Sequence, residues 1–250
     1  MCERELCRGD MLEIKNVYKS FKNKTILNGV SVTVDDNESL VILGKSGEGK
    51  SVLFKTVLGL IPIDKGDIKV SGISVNDGCM HCEYVSKFSM LFQNSALFDS
   101  MTIADNIVFK LIEKGIGRDI AYREAEKTLE RVGLNKAVMS LYPSELSGGM
   151  QKRAALARAI IQKPEIILFD EPTSGLDPIT GAMIIKLIKN VVKDLKITSM
   201  TITHDINAAN YISDKIAVLK DGKICWYGAK SEFKTSDNEL VRSFILSSQL

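Results

Sequence analysis

The amino-acid sequence predicts an α/β fold: a core with a parallel sheet, an antiparallel β layer, and an α-helical subdomain inserted between strands. Three observations predict it. Val41-Ile42-Leu43 is a wholly apolar run ending at a glycine, the pattern of a strand covered on both faces. Leu12 to Val17 and Ser31 to Val34 instead alternate apolar with polar residues, as strands with one wet face do. From about residue 95 to 160 the periodicity becomes helical.

The elements follow in order. Val52 to Leu60 reads as a helix behind a glycine-rich segment, and Ile68 to Val75 as an alternating stretch in which Ser71-Gly72 allows a turn or bulge. Thr102-Ile103-Ala104-Asp105 reads as a capping box, its hydroxyl and carboxylate occupying backbone N–H groups at a helix start. A second helix runs through Ala121 to Val132 and stops near Gly133. Ile166 to Phe169 is another buried strand. Asp177-Pro178 fits an N-cap followed by proline at the first helical position, ahead of Ile179 to Leu195. Thr198 to Thr203 returns to strand, and Ile216 to Leu219 with Ile224 to Tyr227 form a hairpin about Asp221-Gly222. With no internal repeat, low-complexity tract or linker, residues 1–250 read as one domain with its helical subdomain at about 95–160.

Composition excludes several classes. Hydrophobic residues make up 45% and charged residues 26% of the 250, which is ordinary globular usage. A formal net charge of +2 gives the long-range field little hold on a polyanion, so no nucleic-acid partner is expected. The longest apolar runs fall far short of a membrane span, so any work at a membrane needs another chain to cross it. MCERELCRGD lacks an apolar signal core, which points to the cytosol. Five scattered cysteines suit reduced thiols, and Cys79-Met80-His81-Cys82, with no second pair, reads as a loop with incidental thiols.

The chemistry concentrates in a few short stretches. GKSGEGKS, Gly44 to Ser51, lies between a buried strand and an apolar helix. Its glycines let successive N–H groups face a phosphate, Lys50 adds a cation for the terminal phosphates, and the Ser51 hydroxyl can ligate Mg²⁺. The candidate nucleotide contacts are therefore Gly44, Lys45, Ser46, Gly47, Glu48, Gly49, Lys50, Ser51 and Val52 at the helix start. Asp170 and Glu171 end a buried strand, where side chains of a parallel sheet emerge beside its ligand crevice. Asp170 suits Mg²⁺, and Glu171 suits polarising an attacking water. His204 closes the strand SMTITH in the same manner and suits a hydrogen bond to the γ-phosphate. Phe21 is a candidate to stack on adenine, with Tyr18 its neighbour and rival.

A second anion site lies about a hundred residues on. In SELSGGMQKRAALARAI, Ser147, Gly148 and Gly149 open a helix whose N–H groups and macrodipole favour an anion. Either the chain holds two phosphates separately, or one nucleotide lies between the phosphate loop of one copy and the helix start of another. Spacing does not choose between them.

Taken together, these residues resemble, nearly end to end, the ATP-binding subunit of an ABC transporter. GKSGEGKS matches the phosphate loop, Gln93 in SMLFQNSALF the Q-loop glutamine, LSGGM the signature, ILFDE the second acidic motif, Ser174-Gly175-Leu176-Asp177 the D-loop and His204 the switch histidine. The resemblance implies a P-loop NTPase core of the ABC ATPase fold, with ATP and Mg²⁺ as cofactors. It implies Glu171, His204 and Lys50 as catalytic residues, and Ser51, Gln93 and Asp170 at the metal. It also implies a head-to-tail homodimer, in which Ser147 and Gly149 of one subunit meet the γ-phosphate of ATP on the other, with Asp177 among the nucleotide contacts. Met150 departs from the glutamine common there, with Gln151 one position later.

Within the family, SMLFQNSALFDSMTIADNI and PSELSGGMQKRAALARAI look most like the ATPase of the maintenance-of-lipid-asymmetry (Mla) type, the Mce-associated phospholipid transporters. That implies an integral membrane permease as partner, an Mce-domain protein alongside it, and residence on the cytoplasmic face of the inner (plasma) membrane. The alternatives are an ABC ATPase for another cargo, such as a ribonucleotide, amino acid or metal, and a non-transport ABC ATPase. The latter forms carry a long coiled-coil insertion or tandem cassettes, which this sequence lacks.

Overall fold

The computed structural model describes residues 10–22, 24–75 and 83–247. The Cys79-Met80-His81-Cys82 stretch lies outside the described residues, as does all but the last residue of MCERELCRGD. The chain divides into two compact units, one of the residues up to Ser86 and from Ile197 onward, the other of Lys87–Lys196.

The first unit contains an antiparallel sheet of β1 (Asp10–Phe21), β2 (Lys24–Asp35), β4 (Lys65–Val70) and β5 (Ile73–Ser74), in the order β2-β1-β4-β5. Period-two alternation buries Leu12 and Ile14 and, on β2, Val30, Val32 and Val34, while the steps from Ile14 to Val17 and from Leu27 to Val30 are of three residues, where Asn16 and Gly29 take positive φ and the register shifts. The stretch expected over Ile68 to Val75 is a hairpin reversing at Ser71-Gly72. A second group of strands holds β3 (Ser39–Leu43), β8 (Thr198–Thr203), β9 (Lys215–Lys220) and β10 (Lys223–Ala229). Here β3 pairs in parallel with both β8 and β9, and β10 returns antiparallel on β9 through the Asp221-Gly222 turn. Every residue of β3 and β8 is buried, which explains their unbroken apolar or hydroxyl-bearing sequences.

The two groups meet through β2. Asn28 N donates to Gly222 O at 2.8 Å, and Tyr227 Oη to Thr33 O at 2.8 Å. Helix α1 (Lys50–Val57) follows β3. It starts two residues before the expected Val52 and ends three before Leu60, because left-handed Gly49 is its N-cap and Gly59, also at positive φ, follows its last turn. Helix α6 (Ile206–Ile212) links β8 to β9, and α7 (Lys230–Thr235) and α8 (Glu239–Ser247) end the described chain.

The second unit is built on the parallel pair β6 (Phe88–Leu91) and β7 (Ile166–Asp170). Between them lie α2 (Ile103–Glu113), α3 (Arg118–Arg131) and α4 (Gly148–Ile160), and α5 (Pro178–Leu195) follows. Thr102 caps α2 by accepting from Asp105 N at 3.1 Å. The Asp105 carboxylate does not cap the backbone as a capping box would. It accepts from Thr102 Oγ1 at 2.6 Å and from Tyr122 Oη, tying α2 to α3, and those hydroxyl donors hold its carboxyl below the usual range. Asp177 caps α5 with Pro178 at the first helical position, as the sequence predicts.

Candidate functional site

In the first unit the parallel register fixes which residues emerge together. Leu43 pairs with Thr203, so Gly44 and His204 leave neighbouring strands at the same carboxyl end, the end at which open α/β sheets take ligands. Beyond Leu43 the chain curls over Lys45, Ser46 and Gly47, all exposed, and re-enters at Gly49. Gly49 adopts φ 101°, and a Cβ there would lie 2.9 Å from Ile26 O, so both conformation and space demand glycine. The Glu48 carboxylate accepts from Asp221 N at 2.5 Å, which pins the loop to the β9–β10 turn.

Lys50 lies almost wholly inside this curl, where its ammonium donates to Gly44 O at 2.5 Å and to Lys45 O at 3.1 Å. A cation held against two backbone carbonyls at a helix start that no side chain caps at Gly49 is an arrangement suited to an anion. Ser51 is exposed at the same helix start, with Val52 beside it half-buried. His204 is exposed where β8 ends, and Thr203 Oγ1 accepts from Asp205 N at 3.1 Å in the turn that follows. Phe21 closes β1 with 44% of its surface exposed, and the Lys19 ammonium lies 5.4 Å from its ring centroid. Tyr18, its rival, is seated on β2, its hydroxyl 2.9 Å from where a Cβ of Gly29 would be.

The second unit repeats the logic. Leu91 pairs in parallel with Phe169, so the segment carrying Gln93 and the acids Asp170 and Glu171 leave adjacent strands at one end. Both acids are half-buried. Glu171 adopts φ 44°, a left-handed conformation that a non-glycine residue keeps only when its surroundings impose it. The turn beyond it is closed by Ser174 N donating to Glu171 O at 3.0 Å, and Gln93 Nε2 donates to Ser174 Oγ at 3.0 Å.

Ser147 is the N-cap of α4, its hydroxyl accepting from Met150 N at 3.3 Å. As at any helix start, the first N–H groups have no acceptor inside the helix. Gly149 is buried, and a Cβ there would lie 2.7 Å from Thr180 Cγ2 at the start of α5. Close packing therefore explains that glycine. Gln151 does not stand in for the glutamine missing at Met150. Its amide donates to Pro143 O at 2.9 Å and Leu146 O at 3.2 Å, within its own segment. Asp177 accepts from Ile179 N and Thr180 N at 3.1 and 3.0 Å, and hydrogen bonds led by the Thr180 hydroxyl hold its carboxyl below the usual range.

Sequence reasoning missed three side chains that organise the loop after β6. Lys152, 4% exposed, donates from its ammonium to Gln93 O. Arg158 donates to Ala96 O at 2.7 Å and Ser95 O at 3.0 Å. Asn106, fully buried, donates to the carbonyls of Phe98, Met101 and Thr102 and accepts from Phe98 N. A signal was present for the first. Lys152 falls on the stripe of Ala155, Leu156 and Ala159, a charge at a core-facing helical position.

Each unit, taken by itself, offers oxygen donors. Ser51 offers a hydroxyl, Asp170 a carboxylate, and Gln93, whose amide nitrogen is engaged by Ser174, an amide oxygen. All are oxygen ligands of the kind Mg²⁺ takes beside phosphate and water. Among the described residues no group of three or more His, Cys, Asp or Glu side chains stands ready to hold a metal alone, and no helix is long and apolar enough to cross a membrane.

Residues 27–174 match the ABC transporter family. Over 98% of its length the chain is 38% identical to the Arabidopsis thaliana protein Trigalactosyldiacylglycerol 3, chloroplastic, of which it covers 76%. It is 36% identical to the probable ribonucleotide transport ATP-binding protein mkl of Mycobacterium leprae, over 95% of this chain and 69% of that one. With the Escherichia coli intermembrane phospholipid transport system ATP-binding protein MlaF the figures are 35%, 94% and 88%. In three dimensions it is similar to the ATP-binding cassette MJ0796, solved as a post-hydrolysis dimer bound to ADP and Pi. The TM-score is 0.79, with 31% identity over 88% of this chain and 99% of that one. The glycine-rich loop after β3, the paired acids and these likenesses agree: the chain belongs to the ABC transporter family and is one of its ATPases.

Proposed function

We propose that this chain is the ATP-hydrolysing subunit of a phospholipid transporter, working as a homodimer bound to an integral membrane permease. One observation carries the hydrolytic part: the parallel registers Leu43 to Thr203 and Leu91 to Phe169, which bring phosphate-binding and acid-bearing segments to strand carboxyl ends.

In this reading Gly44 to Ser51 wrap the phosphates, Lys50 neutralises the terminal ones and Phe21 stacks on adenine. Ser51, Gln93 and Asp170 hold Mg²⁺, which supplies charge neutralisation to the phosphate oxygens when bound. Glu171 accepts a proton from water as the water oxygen bonds to the γ-phosphorus and the bond to the ADP oxygen breaks. His204 donates a hydrogen bond to the γ-phosphate and fixes that geometry. Ser147 and the N–H groups of Gly148 and Gly149 meet the γ-phosphate of ATP held by a second copy, so each site needs both copies. Asp177 keeps α5 in register beside those glycines.

Hydrolysis is tested by Glu171→Gln. Its kcat falls about a hundredfold or more while ATP affinity stays within about twofold, because a base is lost and the phosphate loop is not. Near-normal turnover removes Glu171 from the role.

Phospholipid cargo is supported by the name of MlaF, and lipid cargo more broadly by the plant relative's, which is that of a glycolipid. The name of mkl favours the ribonucleotide alternative. An Mce-domain protein is the further partner that the Mla resemblance suggests, and the cytoplasmic face of the inner membrane is the location. Reconstitution with the permease separates the cargoes: phospholipid stimulates ATP turnover and ribonucleotides do not. Stimulation by a ribonucleotide alone reverses the assignment.

A further inference from the structure

We propose that Lys152 is a positioning residue for ATP hydrolysis: it locks the start of the signature helix to the loop carrying Gln93, so that the two move as one body. The proposal rests on the reading above, in which Gln93 serves Mg²⁺.

From Phe92 to Thr102 the chain has neither helix nor strand, so its backbone groups must find partners elsewhere. Two of the anchors come from one helix. Lys152 of α4 gives its ammonium to Gln93 O, and Arg158, further along α4, takes the carbonyls of Ser95 and Ala96. Ser95 and Ala96 sit at φ 60° and 48°, left-handed values that non-glycine residues hold only under constraint. The loop is thus gripped through its main chain in a conformation it would not choose alone. The Gln93 side chain is turned toward Ser174, so backbone and amide of one residue are oriented by different segments.

The choice of lysine is itself informative. Lys152 is buried, and burying a charged ammonium costs free energy unless polar partners receive it. An apolar side chain would fill the position without that cost. What lysine adds is a cation held on the main-chain carbonyl of Gln93, a residue of this unit assigned to the metal. Five residues before Lys152 lies Ser147, the N-cap of the same helix. A displacement of that helix start therefore displaces the Gln93 carbonyl with it.

The full-length chain carrying Lys152→Met, which keeps the stem and loses the cation, is compared with Lys152→Arg, which keeps the cation. Three readouts are taken: ATP affinity without Mg²⁺, the Mg²⁺ concentration giving half-maximal hydrolysis, and hydrogen exchange of residues 92–98 without nucleotide. Lys152→Met is expected to raise the half-maximal Mg²⁺ several-fold, lower kcat about tenfold through misplacement, and speed exchange in 92–98. Metal-free ATP affinity stays within about twofold, since the phosphate loop is untouched, and Lys152→Arg restores most of the loss.

An unchanged Mg²⁺ response with a protected loop overturns the proposal. So does a parallel fall in metal-free affinity and turnover, which marks a general loss of structure. Should Lys152→Met fail to fold, Lys152→Gln, which keeps a neutral donor for Gln93 O, is read by the same criteria; loss of fold in both assigns Lys152 to the core alone and overturns the proposal. A wild-type chain that turns over no ATP defeats the underlying reading, whereas normal wild-type turnover beside an unaltered Lys152→Met defeats only the proposal.

Discussion

In the proposed reading both units present groups to a phosphate, and they do so by different means. In the first, the main chain does the presenting: Gly49 at φ 101° against Ile26 O, a helix start without a side-chain cap, and Lys50 folded back onto the carbonyls of Gly44 and Lys45. In the second, apart from the N–H groups at the start of α4, side chains are set to do it: Asp170, Glu171, Gln93 on Ser174, and a loop stapled by Lys152, Arg158 and Asn106. Backbone N–H groups bind a phosphate whatever its reaction state, whereas a carboxylate base matters only as bonds change. In the proposed reading the base, Glu171, belongs to the second unit and most of the grip on the phosphates to the first, whose Lys50 and His204 also serve turnover.

Substitutions sharpen that contrast. The largest separation is expected from pairing Gly49→Ala with Glu171→Gln. A methyl group at Gly49 meets a backbone oxygen that cannot swing aside, at a φ alanine resists. ATP affinity should therefore fall about tenfold or more and the melting temperature should drop, since such strain destabilises by about 1–3 kcal/mol. Titration with a fluorescent ATP analogue and thermal unfolding measure both. Glu171→Gln should leave that titration in place. Equal loss of affinity in the two variants would erase the division of labour.

A smaller effect concerns pH. The Asp177 carboxyl is held below its ordinary range by the Thr180 hydroxyl and by the N–H groups it caps. A depressed folded pKa means that the ionised cap contributes stability above the unfolded value, and that this contribution is lost as pH falls through the folded one. The melting temperature of Asp177→Asn should therefore lie slightly below wild type at neutral pH, and the gap should close below about pH 4. A gap independent of pH would show that shape alone, without charge, accounts for the cap.

The same contrast explains what could be read in advance. Main-chain devices leave their mark in the sequence because only certain residues permit them: GKSGEGKS between an apolar strand and a helix, Asp221-Gly222 at a reversal, Asp177-Pro178 at a helix start. Side-chain devices leave little. That Lys152 reaches a carbonyl 59 residues earlier is set by how β6 and α4 pack, and no local preference encodes it. Asp105 shows the limit of a local rule. Its spacing from Thr102 is that of a capping box, yet the nearby Tyr122 hydroxyl gives the carboxylate another partner. The end of α1 was missed for a related reason: apolar residues continue to Leu60, and Gly59 at positive φ breaks the helix before them.

The central claim is that a complete hydrolytic site takes its phosphate loop from one copy and its signature helix start from another, and mixing two inactive chains tests it most directly. Lys50→Met removes the loop's cation, and Ser147→Arg blocks the helix start while leaving single-chain ATP affinity intact. In a two-fold symmetric dimer, a mixed pair holds one site with both defects and one with neither. Hydrolysis should therefore reappear on mixing, to at most about a quarter of the wild-type rate for random pairing of equal amounts. A mixture no more active than its two components added together would contradict the account, because it would mean that each chain uses only its own signature helix.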